Sequence, residues 1–360
     1  MCKKPARFER EARRINRKRS EARWLTPAAF YAREGGRRGS AGVRVFAFLW
    51  YTVGMKTILA SFLLLNLSLP VLAGLPNEEK AYQDLTGCIV DRIRLWSGLA
   101  PGETSDSPGR FAYDAPKKVW RRYDTCAPEV VLLKPKTVRH DTLVIAMPGG
   151  GYNSQHMGHI AREMRPVLES GRWVAVLHYR VPRREGRKIY EAPFEDAQRA
   201  VRILRSRAAQ YGYSPHKIGA VGFSAGAHLT ALLATSSQSP SAPRIDELDD
   251  LSAHLNFAVP VYPAYVAADG ETGPNTQRGD NVGLLPTFKF DAKTPPMFFL
   301  HGDVDSYSPM GSVLLYQELH KRKIPAQLFI YSKADHGLND RVNVRGWQNR
   351  IVDWMESLGF

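Results

Sequence analysis

The sequence predicts an α/β fold: one domain built on a mostly parallel central sheet with helices on both faces. Three observations carry this reading. Short apolar or β-rich runs of strand length recur at 130–133, 143–146, 174–177, 218–221, 258–262, 297–300 and 328–331. Amphipathic stretches lie between several of them, and the chain is 44% hydrophobic, enough for a sizeable core.

The best-defined helix is marked by Ala197, Ala200, Val201, Leu204 and Ala208 at helical spacing, with Pro193 near its start and Gly212 after its end. Residues 266–296, rich in Gly, Asp, Asn and Thr, form the longest stretch without a regular pattern. A patternless segment of that length is more often functional or mobile than inert, and it is expected to form a wall or flap over a site.

Ahead of the alternating region the chain is organised differently. Residues 1–54 hold 14 Lys and Arg against 4 Glu, a net of +10 out of the chain's +15. From Met55, Lys56 is followed by an apolar run at 58–69 and then by Val71 and Ala73, small residues two positions apart before Gly74. This is the layout of a secretory signal peptide, and the run is too short for a comfortable membrane span.

The expected organisation is therefore 1–54 as a basic leader upstream of the true start, 55–73 as a signal peptide and 74–360 as the catalytic domain, secreted or periplasmic. The alternative is a real Met1 with 43–73 as an uncleaved anchor, its arginine-rich tail held in the cytoplasm; only in that case is the membrane a partner. A nucleic-acid-binding arm is disfavoured because stacking aromatics at regular intervals are missing. From Gly74 onward the net charge is about +4, which implies no nucleic acid and no other charged polymer as partner. Of three cysteines, Cys2 lies in the leader; Cys88 and Cys126 could pair in an oxidising compartment or serve as small buried hydrophobes.

The chemistry centres on Gly222-Phe223-Ser224-Ala225-Gly226, between the strand at 218–221 and a helix-forming run at 227–234. A strand that turns sharply into a helix with a serine at the apex is a nucleophile elbow, and the small residues two before and two after the serine are a steric demand of that turn. Pro148-Gly149-Gly150-Gly151-Tyr152 follows directly on the strand at 143–146. Its glycines let backbone N–H groups approach a developing oxyanion, so Gly150 and Gly151 with the amide of Ala225 are expected to form the oxyanion hole. A phosphate loop would need a Gly-Lys-Ser/Thr ending, which does not follow.

The base is found by elimination. Chain order Ser, acid, His puts the base after the acidic stretch that follows the strand at 297–300, which leaves only His320 and His336. His320 falls in the last turn of a helix beside Lys321, Arg322 and Lys323, whereas His336 lies in the loop after the last strand, so His336 is the expected base. The acid is sought in His301-Gly302-Asp303-Val304-Asp305. Asp305 is favoured because it lies further into the loop, ahead of Ser308-Pro309 and a helix start; Asp303 reads as a turn or capping residue. Asp335 is too close in sequence to face its neighbour. His156 and His159 read as a pair on a helix surface; without a His-Glu-x-x-His run, no metal is expected and no cofactor is called for.

These motifs, with Leu95 to Gly102, Tyr179-Arg180-Val181-Pro182, Asp196-Ala197-Gln198-Arg199-Ala200 and Thr294-Pro295-Pro296, give the chain a resemblance over about residues 90–358. It resembles the acetylxylan-esterase-like branch of the α/β-hydrolases, the group often labelled esterase/lipase or xylanase-associated. The resemblance implies the α/β-hydrolase fold, Ser224 as nucleophile, His336 as base and Asp305 as its orienter. It further implies a serine esterase that takes small acyl groups, acetyl above all, from plant-type polysaccharides or oligosaccharides. Ser308 where the family usually has valine, one glycine fewer at 225–227, and Ala334-Asp335 ahead of the base where glycines are common are departures that touch the acyl and sugar pockets. The rivals are a lipase or peptidase on the same fold and, from another class, a non-catalytic binding protein using the scaffold.

Overall fold

A computed structural model describes residues 74–82, 85–239, 241–268, 283–338 and 342–360. The leader and the signal-peptide segment lie outside the described residues, as does the middle of the patternless stretch. Among the described residues no helix is long and apolar enough to cross a membrane.

Eight strands form the central sheet: β1 Cys88–Arg94, β2 Glu129–Lys134, β3 Leu143–Met147, β4 Trp173–His178, β5 Ile218–Phe223, β6 Ala258–Val261, β7 Met297–Gly302 and β8 Ala326–Tyr331. Their order across the sheet is β1-β2-β4-β3-β5-β6-β7-β8. Both neighbours of β2 run antiparallel to it, and every pairing from β4 to β8 is parallel. All seven predicted strands are present. The eighth, β1, escaped the sequence because Asp91, Arg92 and Arg94 interrupt its apolar pattern and its register shifts between Ile89 and Asp91, as an edge strand with a bulge allows.

Side chains alternate across the sheet, and the two faces are covered by different helices. Leu143, Ile145 and Met147 of β3 pack in one cluster with Phe194, Val201 and Leu204 of α1 (Glu191–Ser206) and Leu229 and Leu233 of α2 (Ala225–Ser236). Leu315 and Leu319 of α3 (Met310–Lys321) join that cluster. Val144 and Ala146 face the other way, onto Ile160, Met164 and Val167 and onto Ile351, Trp354 and Met355 of α4 (Asn349–Ser357). Fully burying each large apolar side chain contributes roughly 1.5–3 kcal/mol, so the two slabs hold the strand ends in fixed positions.

Two small sheets lie outside this core. Arg110–Asp114, Val119–Tyr123 and Gln155–His156 form one, and Ala267–Ala268 pairs with Gly283–Leu284 in the other. The second corrects the expectation that 266–296 is patternless: Ala267–Ala268 and Gly283–Leu284 within it form a short antiparallel ladder, and Leu285 N–H donates to Val266 C=O at 3.1 Å. Whether the residues between form a flap lies outside the described residues. Of the two alternatives left open for Cys88 and Cys126, the pairing of one with the other is not formed, since Cys126 is a free thiol beside Arg184.

Candidate active site

The loops that follow β3, β5, β7 and β8 meet at one edge of the sheet, the carboxyl ends of its parallel strands, where open α/β sheets bind ligands. Ser224 sits at the tip of β5 with φ 54° and ψ −116°, an unusual backbone for a residue with a Cβ. The turn fits only because its flanks are glycine. A Cβ on Gly222 would lie 2.2 Å from the carbonyl oxygen of Gly226, and one on Gly226 would lie 2.1 Å from that of Met147.

His336, in the loop after β8, places Nε2 2.8 Å from Ser224 Oγ. Its Nδ1 lies 2.9 Å from both carboxylate oxygens of Asp305, in the loop after β7. The Tyr307 amide also donates to Asp305 Oδ1 at 2.7 Å, and His301 Nε2 stands 3.4 Å from Oδ2. Burial by itself would raise the Asp305 pKa, but hydrogen bonds from His301 and His336 outweigh it and hold the group at about 2. An ionised Asp305 fixes the proton on His336 Nδ1, which leaves the Nε2 lone pair facing the serine hydroxyl. Tyr262 and Tyr307 pack their rings against the imidazole at centroid distances of 5.1 and 5.0 Å. The rejected residues lie elsewhere: Asp303 is exposed and its N–H donates to Tyr331 C=O, while His320 is exposed on α3 against Tyr316.

Gly150 and Gly151 lie beside Ser224 in the wall of a cavity of about 600 Å³. Their φ values of 134° and 65° suit glycine, and a Cβ on Gly150 would meet the Ser154 carbonyl oxygen at 2.0 Å. The amide of Gly149 is taken, since it donates to His159 Nδ1 at 3.1 Å. Ala225 opens α2, so its amide is one of the helix's unpaired N-terminal donors. Gly150 and Gly151 thus share the cavity wall with Ser224, and Ala225 follows Ser224 directly at the start of α2. The Tyr179 hydroxyl tethers this loop from below by donating to the Pro148 carbonyl.

His156 and His159 are not a pair on a helix surface. His156 ends a strand of the small sheet, His159 opens the π-turn His159–Glu163, and their rings stack 4.0 Å apart in the cavity wall. Their spacing of three residues mimics a helix, but Gly158 separates the strand from the turn. His159 and the cavity residues Arg183, Tyr265, Tyr307, Lys117 and Arg121 were missed by sequence reading. Only Arg183 carried a signal, its place directly after Tyr179-Arg180-Val181-Pro182; the others come from elements whose approach to Ser224 is set by tertiary packing. Among the described residues no three His, Cys, Asp or Glu side chains gather as a metal site.

With strand order, elbow and relay in view, comparison with known proteins gives the fold. A profile of the BD-FAE family matches residues 131–262, and one described as the prolyl oligopeptidase family matches residues 259–358. An acetyl ester-xyloside bifunctional hydrolase from Caldicellulosiruptor lactoaceticus superposes with a TM-score of 0.58 at 25% identity, covering 75% of this chain and 97% of that one. The chain has the α/β-hydrolase fold. Within that superfamily it is similar to the acetylxylan-esterase-like branch. It is 28% identical over 212 residues to the endo-1,4-beta-xylanase B of Butyrivibrio fibrisolvens, over 56% of this chain and 33% of that protein. It is 25% identical over 216 residues to the acetylxylan esterase of Xylanibacter ruminicola, over 54% of this chain and 40% of that protein. The chain therefore spans less than half the length of these two curated relatives.

Proposed function

We propose that this α/β-hydrolase is a serine esterase that removes small acyl groups, above all acetyl, from plant-type polysaccharides or oligosaccharides. The observation that carries the reading is the continuous relay from Ser224 Oγ through His336 to a buried, ionised Asp305, opening into a cavity of about 600 Å³. The named relatives, an acetylxylan esterase and an acetyl ester-xyloside hydrolase, support the acyl group and the sugar.

In the proposed reaction Ser224 Oγ bonds to the ester carbonyl carbon as its proton passes to His336 Nε2. The carbonyl oxygen becomes an oxyanion held by the amides of Gly150, Gly151 and Ala225. The C–O bond to the sugar breaks, and the Nε2 proton goes to the departing alcohol. Water then attacks the acyl-serine, gives its proton to His336, and releases the acid as the proton returns to Ser224. Asp305 holds the tautomer of His336 and stabilises its charged form throughout.

Export is part of the proposal and rests on the layout of residues 55–73. The prolyl oligopeptidase match at residues 259–358 favours one competing reading, a peptidase. Acetate release from acetylated xylan, compared with hydrolysis of long-chain esters and of prolyl peptides, separates them. Acetate release dominates if the proposal holds; a faster peptide or long-chain reaction would replace it.

A further inference from the structure

The cavity wall beside Ser224 is one-sided in charge. Lys117, Arg121, Arg162 and Arg183 line it together with three histidines, and among the described residues no Asp or Glu does. Two of these cations are neutralised from behind: Arg121 by Asp114 at 2.8 Å and Arg162 by Glu163 at 2.8 Å. Lys117 and Arg183 make no ion pair among the described residues. Lys117 stands exposed on the turn between the two long strands of the small sheet.

Arg183 is held in place without being neutralised. Its Nε donates to the Gly151 carbonyl at 3.0 Å and its Nη2 to the Tyr265 hydroxyl at 3.0 Å, with the guanidinium 5.6 Å from the centre of the Tyr265 ring. A guanidinium has five N–H donors, so more than half remain for a ligand, and they are fixed in position relative to the loop that carries Gly150 and Gly151. The loop behind it is equally firm. Arg180, fully buried, bonds both oxygens of Asp196 at 3.0 Å and Glu195 at 2.6 Å. The field is felt by the neighbouring ring: burial first, and then the charges of Arg121, Arg162 and Lys117, push His156 down to about 4.

We infer that the site is built for esters carrying a carboxylate, which Arg183 and Lys117 receive while Ser224 faces the ester carbon. This rests on the esterase reading and narrows its substrate class to acidic esters, such as acetylated uronic acids. A fixed cation with unused donors, in a cavity wall whose described residues include no acidic side chain, favours an anion, and the chain's near-neutral balance after Gly74 shows that this charge is local.

The test compares matched pairs. On the alcohol side, O-acetyl methyl galacturonoside is set against O-acetyl methyl galactoside. On the acyl side, the half-ester p-nitrophenyl adipate is set against p-nitrophenyl methyl adipate. We expect kcat/KM to favour the acidic member of at least one pair on the order of ten-fold, the size of one charge-assisted contact, and to lose that preference at high salt. The pair that shows the preference identifies the side on which the carboxylate sits. Arg183→Gln and Lys117→Glu should each lower the acidic-to-neutral ratio; loss of a mere clamp on the Gly151 loop would slow both members alike. A ratio near one in both pairs, or a ratio untouched by both variants, overturns the inference. Failure to hydrolyse the neutral esters as well would instead strike the esterase reading beneath it.

Discussion

Replacing Asp305 by Asn removes one charge from the centre of the relay and leaves its shape. In the native protein the carboxylate accepts from His336 Nδ1 at 2.9 Å and from the Tyr307 amide at 2.7 Å, and faces His301 Nε2 at 3.4 Å. An asparagine in the same place presents an N–H to His336 Nδ1 or forfeits that contact. Either way the imidazole proton is free to move to Nε2, where it blocks acceptance of the Ser224 proton. The expected loss in turnover is on the order of 10⁴-fold, as in other triads that lose the orienting carboxylate.

The same change has a stability signature. The Asp305 pKa lies at about 2 against an ordinary 3.8, a depression of roughly two units, or about 2–3 kcal/mol at ~1.36 kcal/mol per unit. A depressed folded-state pKa stabilises the fold above the unfolded value and ceases to do so as pH falls through the folded one. Wild type should therefore exceed Asp305→Asn in stability by about that amount at pH 5 to 7, with the gap narrowing between about pH 4 and pH 2. Turnover of an aryl acetate and urea denaturation at several pH values measure both effects, with the exposed Asp303→Asn as control, expected within ~0.5 kcal/mol of wild type and only modestly slowed. Near-normal turnover in Asp305→Asn, a crippled Asp303→Asn, or a stability gap that does not narrow in acid would refute the assignment.

Two further substitutions probe the surrounding frame. Gly150→Ala forces a Cβ to within 2.0 Å of the Ser154 carbonyl at φ 134°, so the glycine loop must shift; we expect about 1–3 kcal/mol less stability and a 10²–10³-fold fall in kcat, measured by denaturation and steady-state kinetics. Arg180→Ala strands the buried carboxylates of Asp196 and Glu195, and thermal or urea unfolding should register a loss of about 3–5 kcal/mol.

The legibility of this chain followed the range of its interactions. The elbow could be read because strand, turn and helix are consecutive and the turn has no room for a Cβ at Gly222 or Gly226. Ser224, Asp305 and His336 were selected by chain order and loop position, and the fold brings His336 within hydrogen-bond distance of the other two. The motifs at 95–102, 179–182 and 196–200 were visible, but their role was not. They form one network: Trp96 Nε1 donates to Asp196 at 3.0 Å, Asp196 accepts from Arg180, and Arg199 bonds the Leu95 carbonyl while its guanidinium lies over the Trp96 ring. Trp96 and Asp196, and Leu95 and Arg199, lie about a hundred positions apart, so local pattern could not assign these contacts. His159 is the sharpest miss: only the folded chain sets its Nδ1 against the Gly149 amide. The polar strand β1 was lost because an edge strand need not be apolar on either face.

The most direct measurement is mass-spectrometric mapping of an active-site-directed fluorophosphonate on wild type and on Ser224→Ala. Deleting one hydroxyl at the tip of β5 opens no core cavity, so the variant should fold as wild type does and keep or slightly raise its stability. We expect one phosphonyl group per wild-type chain, located on Ser224, with none on the variant and aryl acetate hydrolysis lost with it, save the residual catalysis that binding and an oxyanion hole provide. Label on a different serine, or near-normal turnover in Ser224→Ala, would contradict the assignment of this elbow as the reacting centre.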